Sequence, residues 1–390
     1  HERGMLGPRL EYLYARVLMH LERLAAADSV LQGLTAIEGL LENSYLSLIL
    51  DEGRPFPSEE VPGLAWHDGT GIRTTPGQPM DLASLPTLDF RLLRHPASYP
   101  YIDLMTSRGC PYSCSYCLEA RMRPYAKHPI VWIEQQLEHI ESVTPNAHIN
   151  FFDPIFGVGK KQTLEICQLL GKRRFHYMVE SRGDVLDPAL LPALAGAHIE
   201  MIYLGIESAS PGTLIRMNKV GTPERARAYL ESSLALMQAC FENDITPVIG
   251  LMLGFPGDTD ADHRATLEYI QRVRQACEEA AARTGKQPGY SLLPSITVVH
   301  AGSPLADRLA DYPELVLRPG PFLGTDAIAR VSTEMDEQAV AAFLGELMPL
   351  DGWTELAGER LHHYLFYPLK ALLEAHPEWT DSEGVTRLAR

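Results

Sequence analysis

Between Tyr99 and Val299 a short apolar stretch, a polar loop and a helix-patterned segment follow one another repeatedly. The apolar stretches are YPYIDLMT (Tyr99 to Thr106), HINFF (His148 to Phe152), FHYMVE (Phe175 to Glu180), EMIYLGI (Glu200 to Ile206), TPVIGLMLG (Thr246 to Gly254) and SLLPSITVV (Ser291 to Val299). Apolar, β-branched and aromatic residues make them strands, each too short for a helix. Helical spacing runs over Trp132 to Ser142, Lys161 to Lys172, Pro188 to Ala195, Pro223 to Cys240 and Thr259 to Ala282. Strands joined through crossover helices lie parallel in one sheet. Six such strands make an open barrel, not a closed eight-stranded one. The expected class is therefore α/β, a partial (β/α)6 TIM-like barrel, with ligands at the carboxyl ends of the strands.

The loop after the first strand, SRGCPYSCSYC (Ser107 to Cys117), sets Cys110, Cys114 and Cys117 in a C-x3-C-x2-C spacing. Three close thiolates in a Gly/Pro/Ser-rich loop suit a soft metal and leave one coordination position open. A Cys3His zinc site would take His128 as its fourth ligand, without a normal finger spacing. A disulfide would leave one thiol over, in a chain without secretory features. Cys167, Cys240 and Cys277 sit singly in amphipathic helical stretches and read as core or surface thiols.

Among the 390 residues 45% are hydrophobic, enough for one large α/β domain and a smaller one. The net charge of −16, from 50 acidic against 34 basic residues, argues against nucleic acid or an anionic membrane as partner. It is compatible with a cationic substrate. No run reaches the roughly 18 apolar residues of a membrane span. No signal peptide is visible behind His1, and a reducing compartment suits exposed thiolates, so the cytoplasm is expected.

The cysteine spacing resembles the signature of the radical S-adenosylmethionine (radical SAM) superfamily. The resemblance implies that Cys110, Cys114 and Cys117 hold three irons of a [4Fe-4S] cluster, that SAM binds the fourth iron, and that Tyr116 packs beside the cofactor. Further boxes follow in the family's order at the strand ends. FFDPIFG places Asp153 after the second strand, with Pro154 where a second acid is common, and VESRGD places Glu180 and Arg182 after the third. LGIESAS, with Glu207 and Ser208, resembles the G-I-E-S box that reaches the SAM ribose or methionine part. VIGLMLGFPGDT, with Gly254, resembles the G-x-x-x-G-x-P-G-E-T box near the adenine, Asp258 standing for glutamate. VVHAGSPL resembles the P-G-T-P-L turn, with His300 in the proline position. The resemblance thus implies cofactor-binding roles for Tyr116, Asp153, Glu180, Arg182, Glu207, Ser208, Gly254 and His300, and catalytic ones for Glu207, Asp153 and Glu180. Taken singly, a strand-end carboxylate is as often a helix cap or an ion pair.

The expected domains are a Rossmann-like remnant (1–60), a linker (61–98), the barrel (99–305) and a helical C-terminal extension (306–390). Helix, strand and helix over residues 5–50, then VPGLAWHDGTG, resemble the cobalamin-type subgroup of the family. The D-x-H-x-x-G motif for a lower axial histidine is absent, as is most of that domain, so the expectation is against cobalamin. His362 and His363, adjacent on a helix, diverge and are not expected to be ligands. The family resemblance implies reductive cleavage of SAM to a 5′-deoxyadenosyl radical that abstracts hydrogen from a small molecule. Three outcomes follow. The first is radical dehydration or deoxygenation of a cationic, polyhydroxylated aminosugar in antibiotic biosynthesis, a lyase-type reaction resembling aminoglycoside-tailoring radical SAM dehydratases. The second is cobalamin-dependent C-methylation. The third, tRNA methylthiolation, lacks its second cysteine cluster and basic tail. A non-catalytic SAM-binding scaffold is the non-enzyme alternative. Expected partners are a flavodoxin- or ferredoxin-type electron donor, with room for a reductase, and neither nucleic acid nor membrane.

Overall fold

The computed structural model describes residues 65–67, 72–76, 81–93, 101–122, 124–319 and 325–352. The expected Rossmann-like segment and His362 and His363 lie outside them. The chain divides into two compact units, His1–Met80 and Asp81–Arg390. In the first, Ala65–His67 and Ile72–Thr74 pair as an antiparallel ribbon with Trp66 opposite Arg73.

The second unit is built on one parallel sheet whose strands stand in chain order: β1 (Ile102–Leu104), β2 (His148–Phe151), β3 (His176–Arg182), β4 (Ile199–Glu207), β5 (Thr246–Leu253) and β6 (Ser291–Ile296). The connections include α1 (Ile130–Val143), α2 (Lys160–Leu170), α3 (Leu191–Gly196), α4 (Pro223–Glu242) and α5 (Asp260–Thr284). The six strands and five helices are those expected, with ends shifted by a few residues, as fraying termini allow. Local chemistry sets several boundaries. Thr222 caps α4 with Pro223 at its first position, and Thr259 and Asp262 form a capping box that starts α5. Gly285 ends α5 in the left-handed conformation, φ +70°.

Alternation along each strand divides the core in two. Outward residues such as Ile149, Phe151, Tyr177, Val179, Ile202, Leu204, Ile249 and Leu251 pack with the helices in the main core. Inward residues form a separate small cluster, Met178, Met201 and Val248, with Tyr101, Tyr203 and Leu293 against it. That cluster floors the lumen on the inner face of the sheet. Gly250 is required there: a Cβ on it would lie 2.1 Å from the Tyr203 hydroxyl.

Two expectations are corrected. The apolar pattern carries the sixth strand to Val299, but the strand leaves the sheet at Thr297, whose N–H and hydroxyl both donate to Leu253 O (2.9 Å each). Val298–His300 then pairs antiparallel with Thr325–Arg330, which also pairs with Val316–Pro319. The segment after residue 305, expected to be helical, therefore contains sheet before the helix α6 (Glu337–Leu347). No period-two alternation marks the strand Thr325–Arg330, where Asp326, Ile328 and Arg330 share one face yet are exposed, buried and exposed, so the helix-forming residues around it prevail in the sequence.

Candidate active site at the cysteine loop

The loop carrying the three cysteines is held from four sides. At its base the carboxylate of Asp153, fully buried, accepts from the N–H of Thr106 (3.0 Å) and from the hydroxyls of Thr106 (2.9 Å) and Ser107 (2.7 Å), as well as from the N–H of Ser107. Burial pushes the Asp153 carboxyl up to about 6 against the opposing pull of those donors. At its tip Ser115 N–H donates to Met217 O (2.7 Å), and the Asn218 side chain donates to Ser113 O (2.7 Å). Leu305 N–H, just past His300, donates to Ser115 O (2.7 Å). Beneath the loop the Arg182 guanidinium lies 4.2 Å from the Tyr112 ring centre and donates to Cys114 Sγ (3.6 Å). Arg182 is fixed by Asp184 (2.7 Å) and by Lys219 O (2.6 Å).

All three loop cysteines are free thiols and partly exposed, so the disulfide reading falls. Burial pushes the Cys110 and Cys117 thiols up, and Cys114 opposes the ionisation of both. The zinc reading falls too. His128 Nε2 accepts from Arg108 Nε (3.3 Å), and the ring stacks on Trp132 at 4.0 Å. Among the described residues no three His, Cys, Asp or Glu side chains converge enough to share one metal ion. Three free thiols on one loop, with Cys114 opposing the ionisation of the other two, fit a cluster whose ligands stand on different irons. A cationic donor at Cys114 is the further fit.

Below the loop, toward the lumen, Glu207 ends β4. Its Oε1 accepts from Tyr116 Oη (3.2 Å) and Lys219 Nζ (3.3 Å), in a pair whose side chains are 12% and 3% exposed. Glu207 adopts φ +70°, a conformation costing a side-chain-bearing residue about 1–3 kcal/mol, and strain of this kind gathers at functional sites. Gly205 leaves the space: a Cβ there would lie 2.6 Å from Glu207 Oε1. Burial, then the negative Glu207, raises the Tyr116 phenol well above its ordinary value. Tyr116, Glu207 and Arg182 are thus brought together around the loop. Ser208 instead accepts from Ser210 N–H (3.1 Å) within its own turn. Gly254 closes β5 at φ +71°, and the turn after it is pinned by buried Asp258, which accepts from Phe255 N–H (3.0 Å), Thr213 Oγ1 (2.7 Å) and Arg216 (2.6 Å). His300 pairs with Thr325 in the three-stranded sheet.

Glu180 faces the lumen one step below Arg182, its Oε1 buried and without a hydrogen-bond partner. Burial, with Asp153 and Asp103 adding, pushes its carboxyl up to about 8. The folded protein then keeps a proton that the unfolded chain has released, so this contribution to stability falls as pH rises from about 4.5 to about 8. We expect Glu180→Gln to remove about 1–3 kcal/mol of that pH-dependent loss, with solvent screening of a half-buried group allowed for. Urea unfolding of the metal-free protein at pH 5 and pH 8.5 checks this; an unchanged pH slope contradicts it.

Sequence reasoning missed Met217, Asn218 and Lys219, which clamp the loop and pair Glu207. No local sequence signal marked them: only the fold gives Asn218 its left-handed φ of +51° and buries Lys219.

Comparison with known proteins agrees with this geometry. Residues 104–270 match the radical SAM superfamily. An uncharacterised methyltransferase of Pyrococcus horikoshii is 23% identical over 256 residues, 63% of this chain and 53% of that protein. A ribosomal protein uS12 methylthiotransferase, RimO, of Roseiflexus sp. is 25% identical over 210 residues, 50% of this chain and 43% of its own. The chain thus spans about half the length of the curated relatives it matches. The cobalamin-dependent radical enzyme OxsB, with aqua-cobalamin and S-adenosylmethionine bound, superposes with TM-score 0.60 at 16% identity, covering 87% of this chain and 54% of OxsB. The methyltransferase TsrM of Kitasatospora setae, with cobalamin and a [4Fe-4S] cluster bound, gives TM-score 0.53 at 17% identity, covering 71% of this chain and 56% of TsrM. At such identity the likeness is one of fold. It leaves the expectation against cobalamin without support. No helix among the described residues is long and apolar enough to cross a membrane. With three free thiols on a loop at the mouth of a six-stranded parallel barrel, residues 104–270 of this chain are a radical SAM domain.

Proposed function

We propose that this chain is a radical SAM methyltransferase that uses cobalamin and acts on a small molecule. The observation that carries the reading is the likeness to OxsB over 87% of the chain, well beyond the 104–270 match. The methyltransferase name of the Pyrococcus relative supports it. Radical dehydration of an aminosugar, the first outcome drawn from the sequence, has no comparable support. Methylthiolation would call for a second set of cysteines, and within this sequence the other three, Cys167, Cys240 and Cys277, are buried apart on three helices.

In this reading Cys110, Cys114 and Cys117 hold the cluster, and the Tyr116–Glu207–Lys219 group borders SAM. When bound, the cluster and SAM supply one-electron chemistry and the methyl group, while cobalamin supplies a methyl carrier. The protein's part is placement. Asp153 fixes the backbone from which the loop departs, and is a positioning residue rather than an acid or base. Arg182 places a positive charge against one thiolate, which favours the more negative, reduced cluster. The lumen keeps the substrate away from water and stray hydrogen donors. A flavodoxin- or ferredoxin-type protein supplies the electron.

The test is anaerobic reconstitution of the full chain with iron, sulfide and hydroxocobalamin, followed by mass spectrometry of SAM products under reduction. Retained cobalt with S-adenosylhomocysteine is the expected result. 5′-Deoxyadenosine alone, from protein that keeps no cobalt, sinks the methyltransferase reading and returns the dehydratase one.

A further inference from the structure

The lumen wall between the apolar floor and the Glu207 pair is polar on one side only. Strand alternation turns Asp103, Asn150 and Glu180 to the inner face, because Ile102, Leu104, Ile149, Phe151 and Val179 occupy the outer core. Asp103 and Asn150 are register partners in β1 and β2, and Asn150 Nδ2 donates to Asp103 Oδ1 (2.8 Å). That bond fixes the amide: its other end, Oδ1, is an acceptor. Asn150 is 3% exposed, and Oδ1 has no partner. Glu180 Oε1 is a second buried oxygen with no partner, within electrostatic reach of Asp103. Buried polar atoms of folded proteins are almost always paired, so two orphan oxygens on the inner face of adjacent strands mark a place suited to a hydrogen-bond donor. Neither positive side chain of the site is free to serve: Arg182 is spent on Asp184, Lys219 O and Cys114, and Lys219 on Glu207 and Tyr116.

We propose that Asp103, Asn150 and Glu180 form a recognition site in the barrel lumen for a protonated amine of the substrate. An ammonium group offers three donors and a positive charge, matching two orphan oxygens and a carboxylate. A neutral hydroxyl offers one donor and no charge, and an anion would meet carboxyl groups. Burial pushes the Asp103 carboxyl up against the pull of the Asn150 hydrogen bond, and burial with the negative Asp153 and Asp103 pushes that of Glu180 up, a cost that a cation beside them relieves. The inference deepens the proposed function and rests on it only in taking the lumen as the substrate chamber.

Saturation-transfer NMR on the reconstituted, SAM-loaded full chain tests it with matched probes: glucosamine against glucose, and phenethylamine against phenethyl alcohol. Each amine is expected to give a several-fold larger transfer than its alcohol. That preference should be lost in Asp103→Asn and in Glu180→Gln, two near-isosteric variants whose cluster absorbance reports correct folding. Equal transfer for amine and alcohol, or a preference that survives both variants, overturns the proposal. Binding is read without turnover, so an absence of methyl transfer would sink the function while leaving this result standing.

Discussion

Alanine at Cys110, Cys114 or Cys117 is expected to abolish the cluster's visible absorbance and lower SAM cleavage to background. In the proposed arrangement each thiolate would hold a separate iron, and among the described residues no other group of three His, Cys, Asp or Glu side chains forms an alternative metal site. The same variants should leave the metal-free fold within about 0.5 kcal/mol of the parent, because the thiols are only partly buried. The loop's shape comes instead from Asp153 at its base and from Met217 and Asn218 at its tip. Iron content, absorbance and 5′-deoxyadenosine would be measured beside urea unfolding. Cleavage retained by any one variant would show that the loop is not the cluster site. A collapse of the metal-free fold would show that the thiols, not Asp153, organise it.

Lys219→Met is expected to cost about 3–5 kcal/mol of stability, the price of leaving Glu207 buried without its cation. The pair is nearly inaccessible and Glu207 already sits in a strained backbone conformation, so little relaxation is open to it. Lys219→Met combined with Glu207→Gln should recover most of the loss, since two neutral side chains of similar size need no counter-charge. The check is a double-mutant cycle by urea unfolding of the metal-free protein. Additive losses would mean that Glu207 and Lys219 are not coupled, and the picture of a preformed group beside Tyr116 would have to be abandoned.

These two experiments probe the site at different depths of legibility. The cysteines were readable because their spacing lies within one loop, and so were the strands, whose apolar alternation is local. Glu207 was readable because its box is contiguous. Asp153 reads in the sequence as a strand-end carboxylate with a catalytic and cofactor-binding role, whereas the hydrogen bonds that make it a brace depend on donors 46 and 47 residues away. Lys219 was invisible for the same reason: only the return of residues 216–220 beneath the cysteine loop converts a helix-end lysine into a buried counter-ion. Asp103 and Asn150, 47 residues apart, become one acceptor pair through the register of β1 on β2.

The sequence by itself determined the six strand–helix units, the three thiols and the strand ends at which ligands are expected, because these depend on periodicity and spacing within about a dozen residues. The tertiary structure decided which of those strand ends brace the loop, which charges neutralise one another and which oxygens remain unpaired in the lumen. It also moved His300 into a second sheet. Such outcomes depend on register and burial between distant segments, and desolvation acts on a side chain only once the fold has removed it from water.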